Sequence, residues 1–245
     1  MKMLITGLRG TVAPALAEHL RAAGHEVVGW DRAAVPPEDE AAAHAYIRAV
    51  QPGGFFHLAT GAPAWAATVA GACAAAGIPF LFTSSVSVYS SAQRGPFDVE
   101  AIPQPADDYG RYKLDCEQRV RDANPDARVV RIGWQIGTRP GGNHMLDHLE
   151  HTAQSQGFIE ASVHWYQACS FLTDTAAGLA HVLHALPGGL YHLDGNPGLT
   201  FHEIVCGLNR LHGNRWDVRP SETPSLNNRL VDPRVPVRIL TDHFG

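Results

Sequence analysis

The first 31 residues constrain this chain more than any other stretch. Residues 1–6 form a short apolar run that reads as a buried strand, and Gly7-Leu-Arg-Gly10 turns it into a helix expected over 11–23. Pro14 falls in the first turn of that helix, where a missing N–H is harmless, and Gly24 closes it. Glu26-Val-Val-Gly-Trp30 is a second strand and ends on Asp31. Strand, glycine turn, helix, strand and acid are the parts of a dinucleotide-binding βαβ unit. The glycines let the backbone approach a pyrophosphate seated on the helix N-terminus, and Asp31 is placed for the ribose hydroxyls of the adenosine half. The fingerprint is Gly7-x-x-Gly10-x-x-Ala13. Read as a plain structural turn, the same residues leave Asp31 without a role.

After Asp31 the chain is compressed. Pro36-Pro37 precedes a helix expected over 38–50, and no strand fits residues 32–36, so the outer strand of the first half is expected to be missing. Gly54-Phe-Phe-His-Leu58 is the next strand, 64–76 an alanine-rich helix stopped by Gly77, and Pro79-Phe-Leu-Phe-Thr83 a buried strand running into Ser84-Ser85-Val-Ser-Val-Tyr89. A proline-containing loop leads to a helix capped by Asp107 or Asp108 and continuing through Arg121, and Arg128-Val-Val-Arg-Ile132 is a further strand. Strands alternating with helices at this spacing give an α/β fold, a doubly wound parallel sheet covered on both faces. Beyond Gly137 the rhythm changes. Gly141-Gly142 precedes a helix expected over 143–154, another spans 173–186, Leu190-Tyr-His-Leu193 is a short strand, and Thr200-Phe-His-Glu203 is a capping box. The tail shows little periodicity. We expect a dinucleotide-binding domain over 1–137 and a small substrate-binding lobe over 138–245, with some of its segments returning to the sheet.

Tyr109 and Lys113, four residues apart on a helix, share one face. An ammonium beside a phenol is expected to lower the phenol's pKa, which suits a proton donor for a carbonyl. The next tyrosine, Tyr112, is a poorer candidate because Cys116 stands four residues beyond it. A net charge of −5 gives no electrostatic reason for a nucleic-acid or anionic-membrane partner. Cys73, Cys116, Cys169 and Cys206 are scattered and read as reduced thiols. With no long apolar run and no signal peptide, a cytoplasmic protein is expected.

These motifs converge on a family. Thr6-Gly-x-x-Gly10, Asp31, His57-Leu-Ala59, Ser84-Ser85-x-x-Val-Tyr89, Tyr109-Gly-Arg-Tyr-Lys113 and Arg131-x-x-Trp134-x-x-Gly137 occur in one order. In this the chain resembles the extended short-chain dehydrogenases/reductases, also called NAD-dependent epimerases/dehydratases, and most closely the dTDP-4-dehydrorhamnose reductase branch. Leu172-Thr-Asp174 and Gly189-Leu-Tyr-His-Leu193 are similar to its substrate-lobe landmarks. The resemblance implies a Rossmann-type fold and a catalytic set of Ser85, Tyr109 and Lys113, with Ser84 and Ser87 as rivals to Ser85. It implies cofactor contacts at Gly7, Leu8, Arg9, Gly10, Asp31, Arg32, Leu58, Ala59, Thr60 and Lys113, and substrate contacts at Ser85, Trp134 and Gln167, with Thr173 a weaker candidate. Arg9 and Arg32 could pair with the 2′-phosphate of NADP, whereas Asp31 repels it, so NAD is favoured and NADP is the alternative. A small-molecule substrate of sugar or nucleotide-sugar type is implied, and a homodimer is plausible. The helix over 64–76 lacks the asparagine of the family pattern, and the chain is short. A smaller substrate, a free sugar or a polyketide-like ketone, is therefore admitted.

The reading is an oxidoreductase passing a hydride between nicotinamide and a carbonyl or alcohol, with Tyr109 as general acid/base. The alternatives are a sugar epimerase and a non-catalytic cofactor sensor, which would not need Ser85, Tyr109 and Lys113 together. A dehydratase is disfavoured because Val86-Ser87 stand where its extra acid and base would be. His144, His148 and His151 fall on one helical face, but no Cys or carboxylate constellation surrounds them and we assign no metal. His181 and His184 read as solvent-facing or packing residues.

Overall fold

The computed structural model describes residues 1–138 and 142–245. The first half runs β1 (Lys2–Thr6), α1 (Val12–Ala22), β2 (Glu26–Gly29), α2 (Glu40–Val50), β3 (Gly54–His57), α3 (Pro63–Ala76), β4 (Phe80–Ser85), α4 (Asp108–Ala123) and β5 (Arg128–Ile132). The second half continues with β6 (Trp134–Ile136), α5 (Met145–Gln156), β7 (Ile159–Ser162), β8 (Trp165–Tyr166), β9 (Cys169–Phe171), α6 (Leu172–Ala185), β10 (Gly189–Leu193), α7 (Phe201–Leu211), β11 (Val218–Ser221), β12 (Leu226–Asn227) and α8 (Thr241–Phe244). Gly141, expected just ahead of α5, lies outside the described residues.

Six strands pair in the order β10-β5-β4-β3-β1-β2, all parallel. The central strands are buried on both faces because successive side chains point to opposite sides. Met3, Ile5, Phe56, Leu81 and Val130 pack under α1 and α6, through Leu16, Leu20, Leu179 and Leu183. Leu4, Phe55, Phe80, Phe82 and Val129 pack under α2, α3 and α4, through Ile47, Trp65, Val69, Cys116 and Val120. Each of these large apolar side chains contributes about 1.5–3 kcal/mol on burial. This is a Rossmann-type sheet without its outermost strand. β2 is the edge, because residues 32–36 are tied into a turn by Val35 N–H on the Asp31 carbonyl and Trp30 Nε1 on the Val35 carbonyl, both at 2.9 Å.

Helix ends follow local chemistry. Asp39 caps α2 by accepting from Ala42 N–H, so that helix starts at Glu40 rather than 38. Asp107, not Asp108, caps α4. Gly77 ends α3 at φ +65°, where a side chain would be strained. The capping box at α7 is complete: Thr200 Oγ1 accepts from Glu203 N–H and Glu203 Oε2 accepts from Thr200 N–H.

In the second half, α6 lies on α1 and β10 pairs with β5. The remaining elements enclose a separate apolar cluster, with Met145, Leu149, Ile159, Phe171, Phe201, Ile204, Leu208 and Trp216 among its members. The tail, expected to lack regular structure, instead adds β11 to β7 and β12 to β8. No helix among the described residues is long and apolar enough to cross a membrane.

Candidate active site

In an open parallel sheet, ligands bind beyond the carboxyl ends of the strands where the winding direction reverses. Here the reversal lies between β1 and β3. A cleft of about 1280 Å³ opens there and extends along the ends of β4, β5 and β6.

At its cofactor end, Gly7 adopts φ +84°, and a Cβ on it would stand 3.0 Å from Ala59 N, so only glycine fits without strain. Thr6 ties this turn to the end of β3. Its Oγ1 accepts from Leu58 N–H at 3.0 Å and Ala59 N–H at 3.1 Å, and it lies 3.1 Å from His57 Nδ1. Having accepted twice, the hydroxyl gives its proton to Nδ1, which makes His57 neutral with its own proton on Nε2. Burial, reinforced by the positive charges of Lys113 and Arg32, pushes the His57 pKa down to about 3. Thr6→Val removes the acceptor shared by two inward-facing N–H groups. The variant is expected to lose about 2 kcal/mol in urea unfolding and to bind dinucleotide more weakly; a loss under about 0.5 kcal/mol, the range of a neutral surface change, would show that the knot is dispensable.

Leu8, Arg9, Gly10, Asp31, Arg32, Leu58, Ala59 and Thr60 all line the same end of the cleft. Asp31 accepts from Ala33 N–H through Oδ1. The Arg32 guanidinium donates to the Thr60 carbonyl and lies 4.7 Å from the centre of the Trp65 ring.

Deeper in, α4 carries Tyr109 and Lys113 over the end of β4. Its first turn presses so closely on the loop after β4 that a Cβ at Gly110 would stand 2.1 Å from the Ser87 carbonyl oxygen. That approach puts Tyr109 beside Ser85 in the cleft, near enough for the Ser85 hydroxyl to act on the phenol's pKa. Ser85 Oγ also donates to Ser87 Oγ at 3.1 Å, while Ser84 Oγ is buried among the described residues without a partner. Of the three serines, Ser85 is the one whose hydroxyl acts on the Tyr109 phenol. Lys113 is only 3% exposed; its Nζ donates to the Thr83 carbonyl at 2.9 Å and lies 5.8 Å from the centre of the Tyr109 ring.

The phenol's pKa departs from the expected direction. Burial raises it above the usual tyrosine value, and the Ser85 hydrogen bond only partly opposes this. The spacing of four residues puts the ammonium on the right face, but the ammonium sits deep and spends its hydrogen bond on Thr83. Burial in turn pushes Lys113 down to about 8. Tyr112, set aside from sequence, accepts from Gly61 N–H and is pushed up to about 12 by burial.

The far wall holds Trp134 and Gln167, together with Ile132, Gly133, Gln135, Asn143, Trp165 and Asn228, which sequence reasoning missed. Trp165 Nε1 donates to Asn228 Oδ1 at 3.2 Å, and Asn228 Nδ2 donates to Gln167 Oε1 at 3.4 Å. Trp134 stacks on Phe201 and meets the His148 ring edge-on. Trp165, in β8, and Asn228, just past β12, are distant in sequence, and no local pattern marks them. Thr173 is exposed on the first turn of α6 and does not line the cleft. The three histidines of α5 do not converge: His144 is buried and accepts from Asp147 N–H at the start of the helix, His148 packs on Trp134, and His151 is exposed. His184 stacks on His25 at 5.7 Å.

A cradle that only glycine permits, an acid beyond β2, and a serine–tyrosine pair with a buried lysine beneath it together define a dinucleotide-type cleft on a Rossmann-type sheet. The family model described as the RmlD substrate binding domain matches residues 62–235, well over half of the chain, and the protein belongs to that family. It is 25% identical to the dTDP-4-dehydrorhamnose reductase of Mycolicibacterium smegmatis over 250 residues, covering 91% of this chain and 76% of the relative. It is 23% identical to the methionine adenosyltransferase 2 subunit beta of Xenopus laevis over 237 residues, 84% of this chain and 71% of the relative. The crystal structure of dTDP-4-dehydrorhamnose reductase from Bacillus anthracis in complex with NADP superposes with a TM-score of 0.83 at 15% identity, covering 99% of this chain and 96% of that one. That likeness speaks to the fold.

Proposed function

We propose that the protein is an NAD(P)-dependent oxidoreductase that transfers a hydride between the nicotinamide and a carbonyl or alcohol of a sugar or nucleotide-sugar substrate. The observation that carries this reading is the meeting of Ser85, Tyr109 and Lys113 in the cleft that begins at the Gly7–Gly10 turn. The cradle fits a dinucleotide: Gly7 lets the turn close against the backbone of Leu58 and Ala59, and Gly7 and Gly10 line the cleft at the start of α1, where a helix N-terminus can seat a pyrophosphate. When bound there, the cofactor supplies or accepts the hydride.

In reduction, the substrate oxygen is held by Ser85 Oγ and the Tyr109 hydroxyl, two donors aimed at the charge that grows on it. Tyr109 then gives up its proton. With its pKa above the usual tyrosine value, the phenol enters the reaction protonated, the form needed for this direction. Lys113 stabilises the phenolate left behind and can hold the nicotinamide ribose. Trp134 and the Trp165–Asn228–Gln167 chain form the wall against which the sugar lies. We place the nucleotide-binding part in residues 1–137 and the substrate lobe in 138–245, with α6 and β10 as the segments that return to the sheet.

For the cofactor we favour NAD over NADP, because a carboxylate at the end of β2, here Asp31 in the cleft, would repel a 2′-phosphate. Asp31→Asn should raise the ratio of kcat/KM for NADPH over NADH by about tenfold, equivalent to about 1.4 kcal/mol of relieved repulsion; an unchanged ratio puts Asp31 away from that position. The activity itself is tested with dTDP-4-dehydrorhamnose as probe. NAD(P)H consumed in step with product marks a reductase, and interconversion of sugar isomers without net consumption marks an epimerase. A second reading is a cofactor-binding sensor, which predicts dinucleotide binding and no turnover of any sugar ketone; that one relative is named as a subunit of another enzyme rather than as a reductase keeps this reading in the test.

A further inference from the structure

Tyr109, Lys113 and Glu117 stand at i, i+4 and i+8 of α4, one face of the helix, so that phenol, ammonium and carboxylate follow one another inward. The third member does not line the cleft. Glu117 is buried and receives a two-pronged bond from buried Arg131 of β5: Nε donates to Oε1 at 2.9 Å and Nη2 to Oε2 at 2.7 Å. The remaining arm of Arg131, Nη1, donates to the Tyr89 hydroxyl at 2.6 Å. A buried ion pair is a poor device for stability, since desolvation offsets most of the attraction. Its position one turn behind the buried ammonium suggests another use.

We propose that Glu117 and Arg131 are positioning residues, a charge-balanced clamp that fixes the middle of α4 against β5 and keeps Lys113 cationic in line with Tyr109. The groups facing Lys113 are few. On α4 they are Tyr109, Tyr112, Cys116 and Glu117; β3 offers neutral His57; β4 offers the Phe82 ring and the Thr83 carbonyl; Arg131 of β5 stands behind Glu117 as its partner. Behind the clamp, Tyr89 lies beside His192, whose Nδ1 is 3.1 Å from the Phe97 carbonyl and which burial and Arg131 push down to about 4, so it adds no charge near neutral pH. Glu117 is therefore the anion that offsets the two buried cations, Lys113 and Arg131. The guanidinium cannot release its proton, so Lys113 is the cation that gives way if Glu117 is neutralised.

The clamp rests on the functional reading only where it assigns Lys113 a part in catalysis; its electrostatic content is tested without turnover. The chain contains two lysines, Lys2 and Lys113, and Lys2 is exposed. Labelling lysine with ¹³C at Cε therefore gives two NMR signals, one an internal reference. Glu117→Gln should lower the Lys113 titration midpoint by about 1 pH unit or more, and Arg131→Met, which leaves Glu117 unbalanced, should raise it by about 1 unit. The double variant E117Q/R131M should return near the unaltered midpoint. Shifts in the same direction, or no shift in either, overturn the clamp. If the single variants do not fold, the double variant and the unaltered protein decide: a Lys113 already neutral at pH 7, or a midpoint far displaced in the double variant, refutes it. The functional reading fails separately, if the alkaline limb of hydride transfer does not follow the Lys113 midpoint.

Discussion

Tyr109→Phe is expected to lower kcat by about 10² to 10⁴, the range for loss of a general acid, while dinucleotide affinity stays within a factor of about three, a few tenths of a kcal/mol. The division follows from where the hydroxyl stands. It lies beside Ser85 and faces the open cleft, and no hydrogen bond among the described residues depends on it. Phenylalanine keeps the ring and its edge contact with Tyr112, so the helix and cradle should persist. Rapid mixing of the enzyme-bound reduced cofactor with a sugar ketone, followed at the nicotinamide absorbance, separates the chemical step from binding. Near-normal turnover would reject Tyr109 as the proton donor. A variant that loses cofactor binding as well would point to a structural role instead.

Lys113→Met should do two opposite things at once. Lys113 is almost wholly buried, and its folded pKa of about 8 lies below the ordinary value of 10.5. Holding the ammonium inside therefore carries a penalty of about 3 kcal/mol at neutral pH, at 1.36 kcal/mol per pK unit. The sign is set by proton counts. Between pH 8 and 10.5 the native state binds fewer protons than the unfolded chain, so stability rises with pH across that window as the penalty is relieved. Methionine fills similar space without charge, although the Thr83 carbonyl loses its donor. The variant should be more stable than the parent by about 1–3 kcal/mol at pH 7, should lack the rise above pH 8, and should lose catalytic rate. Urea unfolding at pH 7 and pH 10 measures the first two. A variant destabilised at pH 7 would mean that the ammonium's bonds to its surroundings outweigh its desolvation.

Much of this arrangement could be read from the chain because its signals are local. The β1–turn–α1–β2 unit is fixed by glycines and by alternation within 31 residues, and the missing outer strand showed as a segment too short and proline-broken to pair. Boundaries moved by a residue or two where a cap won, as at Asp39. The tail was not legible for a different reason. β11 and β12 are four and two residues long and gain their pairing from β7 and β8, about 60 residues earlier. A strand of two residues has no period, so Asn228 could not be placed in the cleft. Tyr109 and Lys113 were found by spacing, which sets the face but not the depth. Partial burial turned the phenol's pKa upward even though Tyr109 stays 47% exposed, and depth sank the lysine onto Thr83. Glu117 and Arg131 were visible as charged residues in helix and strand, but their pairing across 14 residues is a product of packing.

The central claim is that a hydride crosses from a nicotinamide to a sugar carbonyl in the cleft beneath Tyr109. Its most direct test uses NADPH or NADH carrying deuterium at C4, on either face of the ring, incubated with dTDP-4-dehydrorhamnose and the purified chain. We expect mass spectrometry to find deuterium on the former carbonyl carbon from one face only, and none with Tyr109→Phe on the same timescale. Dinucleotide bound in the cleft with no deuterium passed to this or any related sugar ketone would contradict the enzyme reading and leave a cofactor-binding fold.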